Sequence, residues 1–285
     1  MNYLILTALT LVTGVVFTAV GGIIGATIKS DLNRIFSLIM AFVGGLLFAV
    51  ISVDLTKGPV ELIDSGAVPS VTAVLAFTAV VAGYLITFFL NGFIEKRLKS
   101  KAVRAEAKSA STGNSADPIA LSDLTAATQS KKSGLIISWL IMMGAIAVHN
   151  MLEGMLIGAA YASADLTKSF ISSGFLVAMV MGLHNVTEGF SLSAPLLKKG
   201  ENKTKTILLT ALSGLPTVFG ALIGYALGSI SNIMYIVAHC LAVGAIMHVV
   251  FAELMSEAAA IWSRKLPNLL LFGGIIVGLA IMVYL

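Results

Sequence analysis

Apolar residues in this chain come in long runs separated by short polar stretches. About 20 apolar residues cross a bilayer as one helix. On that measure eight runs qualify: 3–28, 35–55, 68–94, 134–161, 168–197, 204–229, 232–260 and 266–285. The pattern predicts an all-α polytopic membrane protein with eight transmembrane helices. Met1 to Val20 has neither the basic start of a secretory signal nor a small-residue cleavage site, and reads as a retained span. The one long connection, 96–133, is dominated by Lys, Arg, Ala and Ser, is broken at Asp117-Pro118 and has no apolar periodicity. It reads as a flexible cytoplasmic loop, and it holds no histidine with which to sense a metal. The chain therefore divides into spans 1–3 (1–95), the loop (96–133), spans 4–5 (134–198) and spans 6–8 (199–285).

Composition agrees: 58% of residues are hydrophobic and 11% charged, against about a quarter charged in soluble domains. A net charge of +4 would suggest nucleic acid as partner in a soluble protein. Here the charges sit between spans and report topology instead. Loops after spans 1, 3, 5 and 7 carry Lys29 and Arg34; Lys96, Arg97, Lys99, Lys101, Arg104, Lys108, Lys131 and Lys132; Lys198, Lys199, Lys203 and Lys205; and Arg264 and Lys265. The opposite loops carry only Lys57 and Lys168. This bias puts the first set in the cytoplasm and both termini outside a plasma membrane. The single cysteine, Cys240, excludes an intrachain disulfide.

Two runs are polar where a membrane helix should not be. His149-Asn150-Met151-Leu152-Glu153-Gly154 in span 4 returns 35 positions later as His184-Asn185-Val186-Thr187-Glu188-Gly189 in span 5. On a helix, positions three and four apart share a face, so each hexad points its His, Asn and Glu together. All four histidines (His149, His184, His239 and His248) lie in predicted spans, with Glu153, Glu188 and Glu253. Each ionisable group at the bilayer centre costs on the order of 3 kcal/mol and demands a partner or a water-filled cavity. Imidazole nitrogen with carboxylate oxygen suits Zn²⁺, Fe²⁺, Mn²⁺ and their neighbours; Mg²⁺ and Ca²⁺ prefer oxygen alone, and Cu⁺ prefers sulfur. Two glutamates also cancel a dication's charge. Asn150 and Asn185 are second-sphere or weak direct ligands, and Gly154 and Gly189 are small enough to let the two hexad helices meet.

A shift of 199 aligns Gly21 and Gly25 with Gly220 and Gly224, Gly45 with Gly244, and Asp54 with Glu253. It pairs spans 1 and 2 with 6 and 7. Equivalent spans are an odd number apart and so run oppositely, as an inverted repeat of spans 1–3 and 6–8 around the antiparallel pair 4–5. Such repeats serve alternating access, which favours a transporter. Asp54, with Glu61 and Asp64, falls at the external mouth, where the acids read as a solvated loop ahead of a means of concentrating cations. Glu253 and Glu257 fall nearer the cytoplasm than His239; with His248, these groups read either as lining an exit path or as helix-packing hydrogen bonds.

Eight spans, a long loop after the third and HNxxEG in spans 4 and 5 resemble the ZIP (Zrt/Irt-like) metal-ion transporters over essentially the whole chain. Ser213-Gly214-Leu215 and Phe251 to Ala258 support the resemblance. It implies a first metal position of His149, Glu153, His184 and Glu188, and a neighbouring one of Asn150, Glu153, Asn185 and Glu188. It also implies a homodimer in which spans 1, 4, 5 and 6 move against the other four, with no cofactor beyond the transported ion. That ion is zinc, with iron, manganese, cobalt or cadmium as relatives in chemistry. The chain departs from the family at Leu152 and Thr187, where proline is usual, and at Thr217, where span 6 usually offers a glutamate. In span 7, Ala252 stands where histidine often precedes Glu253. Without the span-6 carboxylate, two adjacent dications would leave about two charges uncompensated in low dielectric, so the expected site holds one ion. The rival class is an intramembrane metal hydrolase, which needs an open coordination position and a glutamate base. No HExxH helix or separate nucleophile supports it.

Overall fold

The computed structural model describes residues 2–27, 33–111, 144, 146–162, 173–198, 200–262 and 265–284. Among these, the chain is helical apart from short turns, with no strand, and seven helices are long and apolar enough to cross a membrane. We number the helices α1 (Tyr3–Thr27), α2 (Arg34–Asp64), α3 (Thr72–Ser111), α4 (146–162), α5 (Ser173–Lys198), α6 (Lys203–Ile230), α7 (Asn232–Ile261) and α8 (Lys265–Tyr284). The start of the predicted fourth run, 134–143, and the loop residues 112–133 lie outside the described residues. The chain forms two compact units, 87–146 and Met1–Ile86 with Ala147–Leu285; the second contains both hexads.

Two boundaries differ from expectation. α2 continues past residue 55 to Asp64, because Pro59, which lacks an N–H, is absorbed in a π-helical turn over Thr56–Val60. α3 continues past residue 95 to Ser111. The segment after Glu95 is built from Lys, Arg, Ala and Glu, strong helix formers that need no apolar face to extend an existing helix.

Two further interruptions in the hexad-bearing unit, in α1 and α6, matter to the site. In α1, Leu11–Val16 form a π turn, and the Phe17 N–H bonds Val12 O rather than Thr13 O. In α6 the helix breaks at Gly214–Leu215, because Pro216 cannot donate. The Thr217 N–H then bonds Gly214 O at 3.2 Å, three residues back instead of four. Asn202 starts α6 by accepting from Thr204 N and Lys205 N, and Ser231 starts α7 by accepting from Met234 N.

Glycine contacts sort the helices into two groups. Gly21 and Gly25 of α1 lie on Val186, Phe190 and Ser193 of α5, while Gly220 and Gly224 of α6 lie on Met151 and Met155 of α4. Gly154 of α4 lies on the Thr217 carbonyl of α6, and Gly189 of α5 on the Thr18 carbonyl of α1. A methyl group at any of these positions would overlap the neighbouring helix. In the other group, Gly45 of α2 lies on Leu271 of α8, and Gly244 of α7 on Val80 of α3. Every described glycine that meets another helix meets it within α1, α4, α5 and α6 or within α2, α3, α7 and α8. Between the groups the contacts are largely apolar, with Leu156, Ile157 and Met181 in one cluster with Val50, Ile51, Ile246 and Val250.

Candidate metal site

The two hexads do fall on facing surfaces of α4 and α5. His149 Nε2 lies 3.0 Å from Glu153 Oε1, one turn along the same helix. From α5, His184 Nε2 lies 3.1 Å from the same oxygen and 3.5 Å from His149 Nε2. Three potential ligand atoms thus form one tight triangle, the one group of three or more His, Cys, Asp or Glu ligands found among the described residues. Four ligands around zinc at 2.0–2.1 Å stand about 3.3 Å apart. The observed edges bracket that figure, so an ion needs only a few tenths of an ångström of adjustment to enter.

Glu153 is fully buried, and both its carboxylate oxygens lack a partner of hydrogen-bond geometry. Glu188, one turn beyond His184, stands outside the triangle but within Coulombic reach of His149, Glu153 and His184. Its two oxygens are likewise buried, within reach of the Asn150 side chain but without a hydrogen bond of full geometry. Two carboxylates are thereby brought into a low-dielectric interior beside two imidazoles, a donor set that suits a divalent cation. Thr217 is buried beside α4, its hydroxyl unpartnered, where the family resemblance leads one to look for a third carboxylate.

Asn150 donates from Nδ2 to Ser213 O of α6 at 2.8 Å, and Asn185 to Thr13 O of α1 at 2.9 Å. The Oδ1 atoms of both are buried and unpartnered. Gly154 and Gly189 do not join the hexad helices to each other, as the sequence suggested. They join α4 to α6 and α5 to α1, because the side of each helix away from the triangle is the side that packs. α5 is continuous through Thr187, and α4 is helical throughout its described length through Leu152.

The outlying candidates separate from the site. Asp54 is not a solvated acid at a mouth: it is 3% exposed and its Oδ2 lies 3.2 Å from Nε2 of fully buried His239. The cause is the continuation of α2 beyond residue 55, which keeps Asp54 inside the bundle. Glu61 and Asp64 are exposed or nearly so at the end of that helix. His248 is buried with its ring edge-on to Tyr84, centroids 5.1 Å apart. Glu253 is half-buried and within Coulombic reach of both His149 and His248. Glu257 accepts from Ser191 Oγ at 3.3 Å, bridging α7 and α5. The Asn–carbonyl bonds were not anticipated. The signal available for them was Pro216, which marks a helix that must leave carbonyls free.

Replacing Asp54 alone with leucine leaves the buried His239 without this polar partner, and the expected loss of stability is about 1–3 kcal/mol. The double variant with His239→Leu recovers most of it. Thermal unfolding of the two purified variants in detergent checks this, and a single variant as stable as the parent refutes the pairing.

Comparison with known proteins agrees with this geometry. The ZIP zinc transporter family matches residues 3–285. The zinc transporter ZupT of Chlorobium chlorochromatii (strain CaD3) is 26% identical over 298 aligned positions, covering 99% of this chain and 96% of that protein. The zinc transporter foi of Drosophila melanogaster is 27% identical over 149 residues, 51% of this chain and 20% of the much longer relative. Nothing in these matches supports the hydrolase alternative. A family match spanning nearly the whole chain, over helices built to cross a membrane and a buried His–Glu cluster, has one reading: the chain belongs to the ZIP zinc transporter family, and is a divalent-metal transporter rather than an enzyme.

Proposed function

We propose that the protein carries Zn²⁺ across the plasma membrane into the cytoplasm, one ion at a time, on His149, Glu153 and His184, with Glu188 completing the set. The observation that carries this is the triangle of two imidazole nitrogens and one carboxylate oxygen, buried with a second carboxylate, Glu188, close by. A dication balances the two carboxylates, and the mixed nitrogen–oxygen donors favour a borderline metal over Mg²⁺ or Ca²⁺. The Thr217 hydroxyl brings no charge, which argues against a second adjacent ion. Asn150 and Asn185 present only a neutral oxygen each toward any neighbouring position.

The movement we propose is α1, α4, α5 and α6 shifting together against α2, α3, α7 and α8. The partition of the glycine contacts supports it: backbones interlock within each group, while the face between groups is mostly smooth and apolar. The same contacts support an inverted repeat. Gly45 meets Leu271 and Ile275 as Gly244 meets Val80 and Tyr84, and Gly83 meets Leu241 as Gly274 meets Phe42. These correspondences keep the 199-residue shift between α2 and α7. The reading includes eight spans with α4 as the eighth, both termini external, the domain division at 95, 133 and 198, a homodimer as the family picture implies, and a path toward the cytoplasm past His248 and Glu253.

Purified protein in liposomes tests it. Zinc is taken up without any reaction substrate, competed by other transition-metal dications and not by Mg²⁺, and is lost in Glu153→Ala and His184→Ala. Metal analysis gives one ion per chain. Unchanged uptake in both variants sinks the site, and two ions per chain sink the single-ion reading.

A further inference from the structure

Both hexad asparagines make the same unusual bond. In α6, the Ser213 carbonyl would pair with the Thr217 N–H in an uninterrupted α-helix, but that N–H is taken by Gly214 O. In α1, the Thr13 carbonyl would pair with the Phe17 N–H, which is taken by Val12 O. Asn150 and Asn185 donate to these two displaced carbonyls. So each metal-bearing helix is fastened to a defect in its neighbour: α4 to the break in α6, α5 to the π turn in α1. The defects themselves meet, since Gly14 of α1 and Gly214 of α6 lie against each other.

Resting on the site reading above, we infer that Asn150 and Asn185 are positioning residues that act by donating their amide hydrogens to Ser213 O and Thr13 O, rather than primary metal ligands. The argument is one of geometry and cost. A carbonyl freed inside a membrane helix must be satisfied by a neighbour's side chain or water, and a buried one left unsatisfied is expensive. Each bond therefore holds its helix in a fixed rotation about its axis. The residue before each asparagine is the metal-binding histidine, and Glu153 follows Asn150 by three, on the same face. Fixing Asn150 fixes where His149 and Glu153 point, and fixing Asn185 does the same for His184. In a triangle with edges of 3.0 to 3.5 Å, a small rotation of either helix moves a ligand atom out of bonding range. The interruptions in α1 and α6 thereby gain a purpose: they supply anchor points at the depth of the ion.

Asparagine-to-aspartate variants separate this from a ligand role, because aspartate keeps the oxygens, adds charge and removes the donor. If the asparagines are chiefly ligands, Asn150→Asp and Asn185→Asp bind Zn²⁺ as tightly as the parent or tighter. If they are anchors, each weakens zinc binding by about tenfold or more, as the loss of a buried hydrogen bond implies, and bound Co²⁺ loses the absorption of a four-coordinate site. A purely structural role would lower the yield of folded protein without changing affinity or the Co²⁺ spectrum of the folded fraction.

Pro216→Ala provides a second route that touches no ligand. It returns an N–H to α6 and lets the Thr217 N–H compete for Ser213 O, so it too weakens zinc binding. The double variant Asn150→Asp with Pro216→Ala is no weaker than the worse single one, since both act on one bond. Retained affinity in both aspartate variants, or additive losses in the double, overturns the inference. Failure of the site reading is seen separately, as zinc binding that survives Glu153→Ala.

Discussion

Glu153→Gln abolishes zinc uptake, with a loss of affinity on the order of a hundredfold or more, the largest expected of any side chain in the protein. Its Oε1 is the shared vertex of the triangle, touching His149 from its own helix and His184 from the next. Glutamine keeps the shape and an acceptor oxygen, so the variant isolates charge. Without that charge a dication enters a buried cavity compensated by Glu188 alone, and uncompensated buried charge costs several kcal/mol, each 1.4 kcal/mol being a factor of ten. Glu188→Gln costs less, because Glu188 acts on the triangle from outside it. Zinc titration and liposome uptake of the two variants give the ranking. A Glu153→Gln protein with near-parental affinity would mean that the triangle is a packing arrangement.

What the sequence carried about this site was local and periodic. Positions three and four apart on a helix share a face whatever surrounds them, so His149 with Glu153 could be read directly. The meeting of α4 with α5 needed only the second copy of the hexad. Glu188 shows the limit of that reasoning: an identical spacing placed it with His184, yet the structure leaves it beside the triangle, because helix rotation is set by packing and not by the hexad. The glycines show the same limit. Gly154 and Gly189 were legible as close-approach positions, but which helix approaches is decided by the far side of the bundle. Their seats are on Thr217 and Thr18.

Helix ends were less legible than helix existence, for a physical reason. Pro59 and Pro216 carry the same backbone deficit, yet one is absorbed in a π turn of α2 and the other breaks α6. The outcome depends on whether neighbours can satisfy the freed carbonyls, a tertiary property. Asp54 followed its helix: once α2 ran on to Asp64, a residue placed by sequence at an open mouth became half of a buried pair with His239. The partner was invisible beforehand because it lies on α7.

Lowering the pH from 7.5 to 5.5 weakens zinc binding steeply, with the metal site intact throughout. Zinc takes the deprotonated nitrogen of each imidazole, so protons and metal compete for His149 and His184. The sign follows directly: each proton bound in the free state must leave before the ion enters, so affinity rises with pH and levels off above the imidazole range. Each imidazole that must shed a proton adds to the slope, so two ligand histidines give a steeper fall over this interval than one. The number of histidines is thereby countable. Removing one imidazole, as in His149→Ala, weakens binding at pH 7.5 and makes the dependence shallower. Zinc titrations of both proteins across the interval, with buffers of matched metal affinity, read this out. An equally steep dependence in His149→Ala would assign the protons to other groups, and a flat one in the parent would remove the imidazoles from the ion altogether.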